Sequence, residues 1–179
     1  MLKKTGFWLV YGFLVLMLAS CSFSVSNPAP TSKVLAEFTE SYVKVTISLE
    51  PGEASEAVLL ATFSPIEPDA HLYSKALPRE GVEGLGRPTL IELPDGAHIQ
   101  VAGELQESVS AVEDAVGPDL PALPVYPMGP VTLRLPVLLP EGKGGFVDDQ
   151  VLITYMVCTP RGCHKPVVGL LVDVRIPTK

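Results

Sequence analysis

Cys158 and Cys163 are separated by four residues in the run Val151-Leu-Ile-Thr-Tyr-Met-Val-Cys158-Thr-Pro-Arg-Gly-Cys163-His-Lys-Pro-Val-Val, and Arg161, His164 and Lys165 lie within two positions of Cys163. Two thiols at this spacing suit disulfide chemistry, metal binding or haem attachment, and each option makes a different demand on its surroundings. In disulfide exchange the thiolate is the nucleophile, and nearby cations raise the thiolate fraction. Arg161 and His164 are the candidate tuning residues. The connection itself reads as a type I turn, with Pro160 at its second and Gly162 at its fourth position. A hairpin then places one cysteine at the root of each strand. Antiparallel partners have Cα atoms about 4.5 to 5.5 Å apart, inside the roughly 4.4 to 6.8 Å span a disulfide accepts. So short a closed loop stabilises the fold by only about 2 kcal/mol, which suits a bond that is made and broken better than one that staples.

The other chemistries ask for more than the chain offers. Cys-x4-Cys-His is a widened form of the c-type haem attachment pattern, but a hairpin containing Pro160 lacks a helical, aromatic-rich shell. Copper or zinc on Cys158, Cys163, His164 and His71 combines suitable donors and leaves the fourth ligand unplaced. No cofactor and no metal are therefore expected. The competing non-enzymatic class is a binding lipoprotein with an inert hairpin disulfide. His71 itself reads as a hydrogen-bonded edge-strand residue. Asp148 and Asp149, after Gly144 and Gly145, read as a solvated turn.

The elements that must hold this hairpin are strands. The 179 residues are 47% hydrophobic and 18% charged, enough for one domain with a core, and 18 prolines with 15 glycines interrupt helices throughout. A helical bundle is excluded. Tyr42 to Glu50 alternates Val43, Val45, Ile47 and Leu49 with polar residues, the period of a half-buried strand. Further strands are expected at 57–63, 71–74, 89–93, 99–101, 131–139, 150–158 and 163–176, a spacing that points to an all-β, immunoglobulin-like β-sandwich. Glu104 to Val116 reads as loop or one short helix. The segment 118–130, with proline at every third position, reads as polyproline II and not as a central strand. The net charge of -7 and the lack of a basic cluster exclude nucleic acid as a partner.

The N-terminus reads as an address. Lys3 and Lys4 precede an apolar stretch from Phe7 to Leu18, the pattern of an export signal. Leu18-Ala-Ser-Cys21 resembles a bacterial lipobox, with Cys21 the lipidated first residue of the mature chain. Residues 1–20 are thus expected to be a lipoprotein signal peptide, 21–33 a lipidated tether, and 34–179 the domain, outside the cytoplasm and membrane-anchored. With Cys21 lipidated, Cys158 and Cys163 are the remaining thiols in an oxidising compartment.

The run from Thr154 to Pro166 resembles the Tyr-x-x-Cys-x4/5-Cys-x-x-Pro signature of the N-terminal extracytoplasmic domain of the thiol:disulfide interchange protein DsbD, the disulfide bond corrector domain. His71-Leu-Tyr-Ser-Lys75, Arg87-Pro-Thr-Leu-Ile91 and Leu93-Pro-Asp-Gly96 are similar to further segments of that domain, so the likeness runs from Lys33 to Pro177. It implies a redox-active Cys158/Cys163 pair of the protein-disulfide reductase type, with links to cytochrome c biogenesis. The implied electron donor is a separate membrane-embedded protein of the DsbD/CcdA type, because the membrane segment and thioredoxin-like domain that follow in the family are not in this chain. The implied acceptors are oxidised thioredoxin-like or disulfide isomerase-like proteins. In the family a cap loop shields the pair; the proline-rich stretch before Val131 takes that place in chain order, with Tyr126 as its expected aromatic cover and Tyr155 as a second shielding candidate. The acidic residues common near the pair in the family are not expected here, where Arg161 and Lys165 stand.

Overall fold

A computed structural model describes residues 31–115 and 121–179 of the chain. The expected signal peptide, Cys21, most of the tether and residues 118–120 of the proline-rich stretch lie outside them. Fourteen strands follow in chain order: β1 (Lys33–Glu40), β2 (Val43–Pro51), β3 (Glu56–Pro65), β4 (His71–Leu72), β5 (Leu90–Glu92), β6 (Gln100–Val101), β7 (Gln106–Glu107), β8 (Val112–Ala115), β9 (Ala122–Val125), β10 (Val131–Leu138), β11 (Gly145–Tyr155), β12 (Val157–Thr159), β13 (Gly162–Cys163) and β14 (Val167–Thr178). No helix occurs among the described residues, and none there is long and apolar enough to cross a membrane.

The strands form an all-β sandwich of immunoglobulin-like type. One sheet runs β1-β2-β3-β10-β6 with β7 also beside β10, and the other β14-β11-β5; every pairing is antiparallel. Alternation explains the packing: Val43, Val45, Ile47 and Leu49 of β2 and Val131, Leu133, Leu135 and Val137 of β10 all point inward. They meet Val151, Ile153 and Tyr155 of β11 and Ile176 of β14 in one core. Phe63 of β3 and Tyr155 cross this interior edge to face, with ring centroids 5.5 Å apart.

Several expectations are corrected. β1, at Lys33–Glu40, is not among the expected strands; a bulge between Val34 and Ala36 breaks its alternation and hides it from a period-two reading. Within Glu104 to Val116, expected as loop or one short helix, the described residues form loop interrupted by β7 and β8 and no helix. Residues 122–125 are not polyproline II but β9, paired with β8, where Pro124 opposes Glu113. That proline is tolerated because its backbone faces away from β8: its carbonyl accepts the Ser74 N–H at 2.9 Å, and the pairing with Glu113 asks no donor of it.

A third, three-stranded sheet β13-β12-β4 sits at one end. The chain crosses into it from β11 at Met156, just past a bulge where Thr154 Oγ1 accepts the N–H of Gly169 at 3.0 Å. Gly169 has a φ of 61°, which a side chain at this turn of β14 would strain. One face of the small sheet, Leu72 and Val157, joins the main core. The other, with Tyr73 and Cys158, belongs to a separate cluster under Leu123 and Val125.

Candidate functional site

The register of the small sheet builds the site. Cys158 of β12 lies opposite Cys163 of β13 on one side and opposite His71 of β4 on the other. His71, Cys158 and Cys163 therefore form one rung across three strands and share a face. The N–H of His164 donates to the Val157 carbonyl at 3.0 Å, so the cysteines occupy the neighbouring non-hydrogen-bonded position, where backbones approach closest. The two sulfurs are bonded, with a Cα–Cα distance of 3.9 Å. Pro160 and Arg161 make the turn, and Gly162 closes it at a φ of 140°.

The two halves of this disulfide differ. Cys158 is 1% exposed, whereas Cys163 is open to solvent. The bond therefore joins a buried residue to an exposed one. Tyr73, two residues along the same face from His71, places its hydroxyl 3.4 Å from Cys158 Sγ and 3.9 Å from Cys163 Sγ. Bonded sulfurs carry no hydrogen, so the phenol is the donor. Burial, with Asp114 adding to it, raises the Tyr73 pKa and keeps the group protonated.

A cavity of about 670 Å³ opens on this face. Cys158 and Cys163 line it together with His71, Asp69 before β4, Asp114 and Val112 of β8, Val125 of β9 and Tyr126 to Met128 after it. Carboxylates thus stand beside the pair after all, contrary to expectation. They come from segments distant in sequence, and on the hairpin's other side Glu67 joins them, 3.5 Å from Arg161 and 3.7 Å from His164.

His71 departs from its expected role. Its Nε2 is buried and has no hydrogen-bond partner among the described residues. Its ring meets Tyr73 edge to face, with centroids 5.7 Å apart. Desolvation lowers its pKa, only partly opposed by Asp114, and so favours neutral imidazole.

The remaining expected residues are placed as follows. His164 stacks on Tyr42 with ring centroids 4.1 Å apart. Tyr42 is exposed and sits with Ser41 in the two-residue β1–β2 turn, where both have positive φ, 62° and 42°. Tyr126 is fully buried in the cavity wall; its hydroxyl donates to Glu107 at 2.6 Å and accepts the Lys75 N–H at 3.0 Å. The aromatic that reaches the sulfurs is Tyr73, and the segment over them is the β8–β9 pair, joined to β4 through the Tyr73–Val125 bridge. Tyr155 is a core residue whose hydroxyl donates to the Glu40 carbonyl at 2.7 Å.

A second cleft, of about 890 Å³, lies among Pro94, His98, Asp149 and Asp173 and contains no thiol. Asp149 is no solvated turn residue: it is buried in β11 and accepts the N–H groups of His98 and Ile99, both at 3.0 Å. No group of three or more histidine, cysteine or acidic residues arranged to hold a metal occurs among the described residues.

No known family profile and no curated protein matches the chain. Among solved structures, the N-terminal domain of DsbD from Neisseria meningitidis in its reduced form is similar, at 15% identity and a TM-score of 0.41 over 78% of this chain and 85% of that one. A likeness of that size leaves the functional reading to the residues of this chain.

Proposed function

We propose that the chain is an exported, lipid-anchored thiol-disulfide exchange module that relays electrons from a separate membrane-embedded reductant to oxidised thioredoxin-like or isomerase-like proteins. The observation that carries this reading is the asymmetric disulfide: an open Cys163 sulfur joined to a buried Cys158 sulfur beneath the Tyr73 hydroxyl. The lipid anchor rests on Leu18 to Cys21, and the direction of the relay on the motif from Thr154 to Pro166.

The unequal exposure of the two cysteines supports one order of events. A donor thiolate attacks Cys163 Sγ, the accessible sulfur, and Cys158 leaves as a thiolate into a site where the Tyr73 hydroxyl donates to it; the donor's second thiol then displaces Cys163 as the donor's own disulfide forms. In the forward transfer Cys163 attacks a partner disulfide, the mixed disulfide forms at Cys163, and Cys158 resolves it. Arg161 and His164 favour the Cys163 thiolate, and Glu67 between them tempers that effect.

The test is the reduction potential of the pair in the full chain carrying Cys21→Ser, read by thiol trapping in graded dithiol buffers. The expected value lies between about -180 and -270 mV, the span of dedicated exchange proteins. Cys158→Ser should then accumulate a mixed disulfide with an oxidised thioredoxin-like protein, and Cys163→Ser should not. A potential below about -300 mV would mark an inert staple and overturn the reading in favour of a binding lipoprotein.

A further inference from the structure

The resolving step has a proton to place. Cys158 is buried, and an apolar setting raises a thiol's pKa. To attack the mixed disulfide at Cys163 it must first lose its proton inside the cavity, away from bulk water. Tyr73 touches the sulfur but is held in its protonated form, so it cannot serve as the base that takes the proton. A different group has to take the proton.

We propose that His71 is that group: its imidazole accepts the Cys158 proton during resolution, a role that rests on the exchange function argued above. His71 is the direct cross-strand partner of Cys158, which puts their Cβ atoms about 4.5 to 5.5 Å apart on one face. Both residues line the same cavity, and the His71 Nε2 is a buried nitrogen without a partner among the described residues. A neutral, unengaged imidazole next to a buried thiol is the arrangement a general base requires. The groups facing it are Asp114 from β8, Asp69 before β4, Arg161 from the hairpin turn, Tyr126 after β9 and Tyr73 on its own segment. Asp114 stabilises the imidazolium once it forms.

The step balances within the protein and its disulfide partner. The Cys158 S–H bond breaks and the proton moves to His71. The sulfur's electron pair forms the Cys158–Cys163 bond, while the bond between Cys163 and the partner sulfur breaks and its electrons leave on the partner as a thiolate. The cysteine pair is oxidised by two electrons and the partner disulfide is reduced. The imidazolium then returns its proton to water at the cavity mouth.

The aromatic disulfide DTNB separates the two thiols in time. Mixed with the reduced full chain carrying Cys21→Ser, it should release one thionitrobenzoate as Cys163 reacts and a second as Cys158 displaces the first adduct. His71→Gln should leave the first phase within about twofold and slow the second about a hundredfold near pH 7, at the low end of general-base contributions. In the unsubstituted chain the second phase should fall as pH drops through the lowered imidazole range, and that inflection should vanish in His71→Gln. His71→Tyr, which keeps an aromatic ring against Tyr73, should show the same selective loss. An unchanged second phase, or equal slowing of both phases in both variants, would overturn the role of His71. Absence of any second phase in the unsubstituted chain would instead overturn the exchange function itself.

Discussion

The sandwich interior and the small end sheet use the same strand pattern for opposite purposes. In the interior, β2, β3, β10 and β11 bury unbroken rows of aliphatic and aromatic residues, and the Tyr155 hydroxyl, though core-facing, finds the Glu40 carbonyl. On the outer face of β13-β12-β4 the same alternation aligns a histidine, two sulfurs and a tyrosine around a cavity, with one nitrogen left unpaired. The interior is closed and satisfied; the end sheet is open and reactive. Stability resides in the first and chemistry in the second, so a perturbation of one should leave the other largely intact.

The largest effect on stability is expected in the interior. Phe63→Ala removes a fully buried ring in contact with Tyr155 and should destabilise the domain by about 3–5 kcal/mol, read from urea unfolding. Reduction of Cys158–Cys163 should cost no more than about 2 kcal/mol, because the closed loop is so short; the same unfolding curves with and without reductant give the number. If reduction proved costlier than Phe63→Ala, the end sheet would be part of the scaffold and the division would fail. The smallest effect belongs to Glu67→Gln, which releases one exposed ion pair with Arg161 and a contact with His164 and should change stability by less than about 1 kcal/mol. It should nevertheless speed the first DTNB phase, since Arg161 then acts on Cys163 without its counter-charge. A slower first phase would show that Glu67 positions the hairpin instead of moderating its charge.

The sandwich was legible where strands bury one face cleanly. Val43 to Leu49 and Val131 to Val137 declare their period, and Cys158 and Cys163 mark the hairpin through the turn residues between them. What stayed hidden depended on pairing across long sequence distances. Nothing local shows that β4, a strand of two residues, sets His71 beside Cys158, some 87 positions away, or that Glu67, Asp69 and Asp114 converge on the same hairpin. Tyr73 was readable in part: two residues from His71, it had to share that residue's face. β8 and β9 were missed for another reason. Proline spacing and weak apolar character outvoted a four-residue pairing that is tied to the chain after β4 by the Tyr73–Val125 bridge.

The Ser41–Tyr42 turn bears on how anything can land near Cys163. Positive φ at both central residues matches the twist of a tight hairpin, yet here it is adopted without glycine. The Tyr42 carbonyl accepts the Ile66 N–H at 2.9 Å, and its ring lies flat on His164. An exposed aromatic ordinarily loses rotational freedom when another protein covers it, at about 0.5–1.5 kcal/mol per side chain. Tyr42 has lost that freedom on folding, so the rim beside the open sulfur is a preset surface whose shape an arriving molecule meets without having to create it.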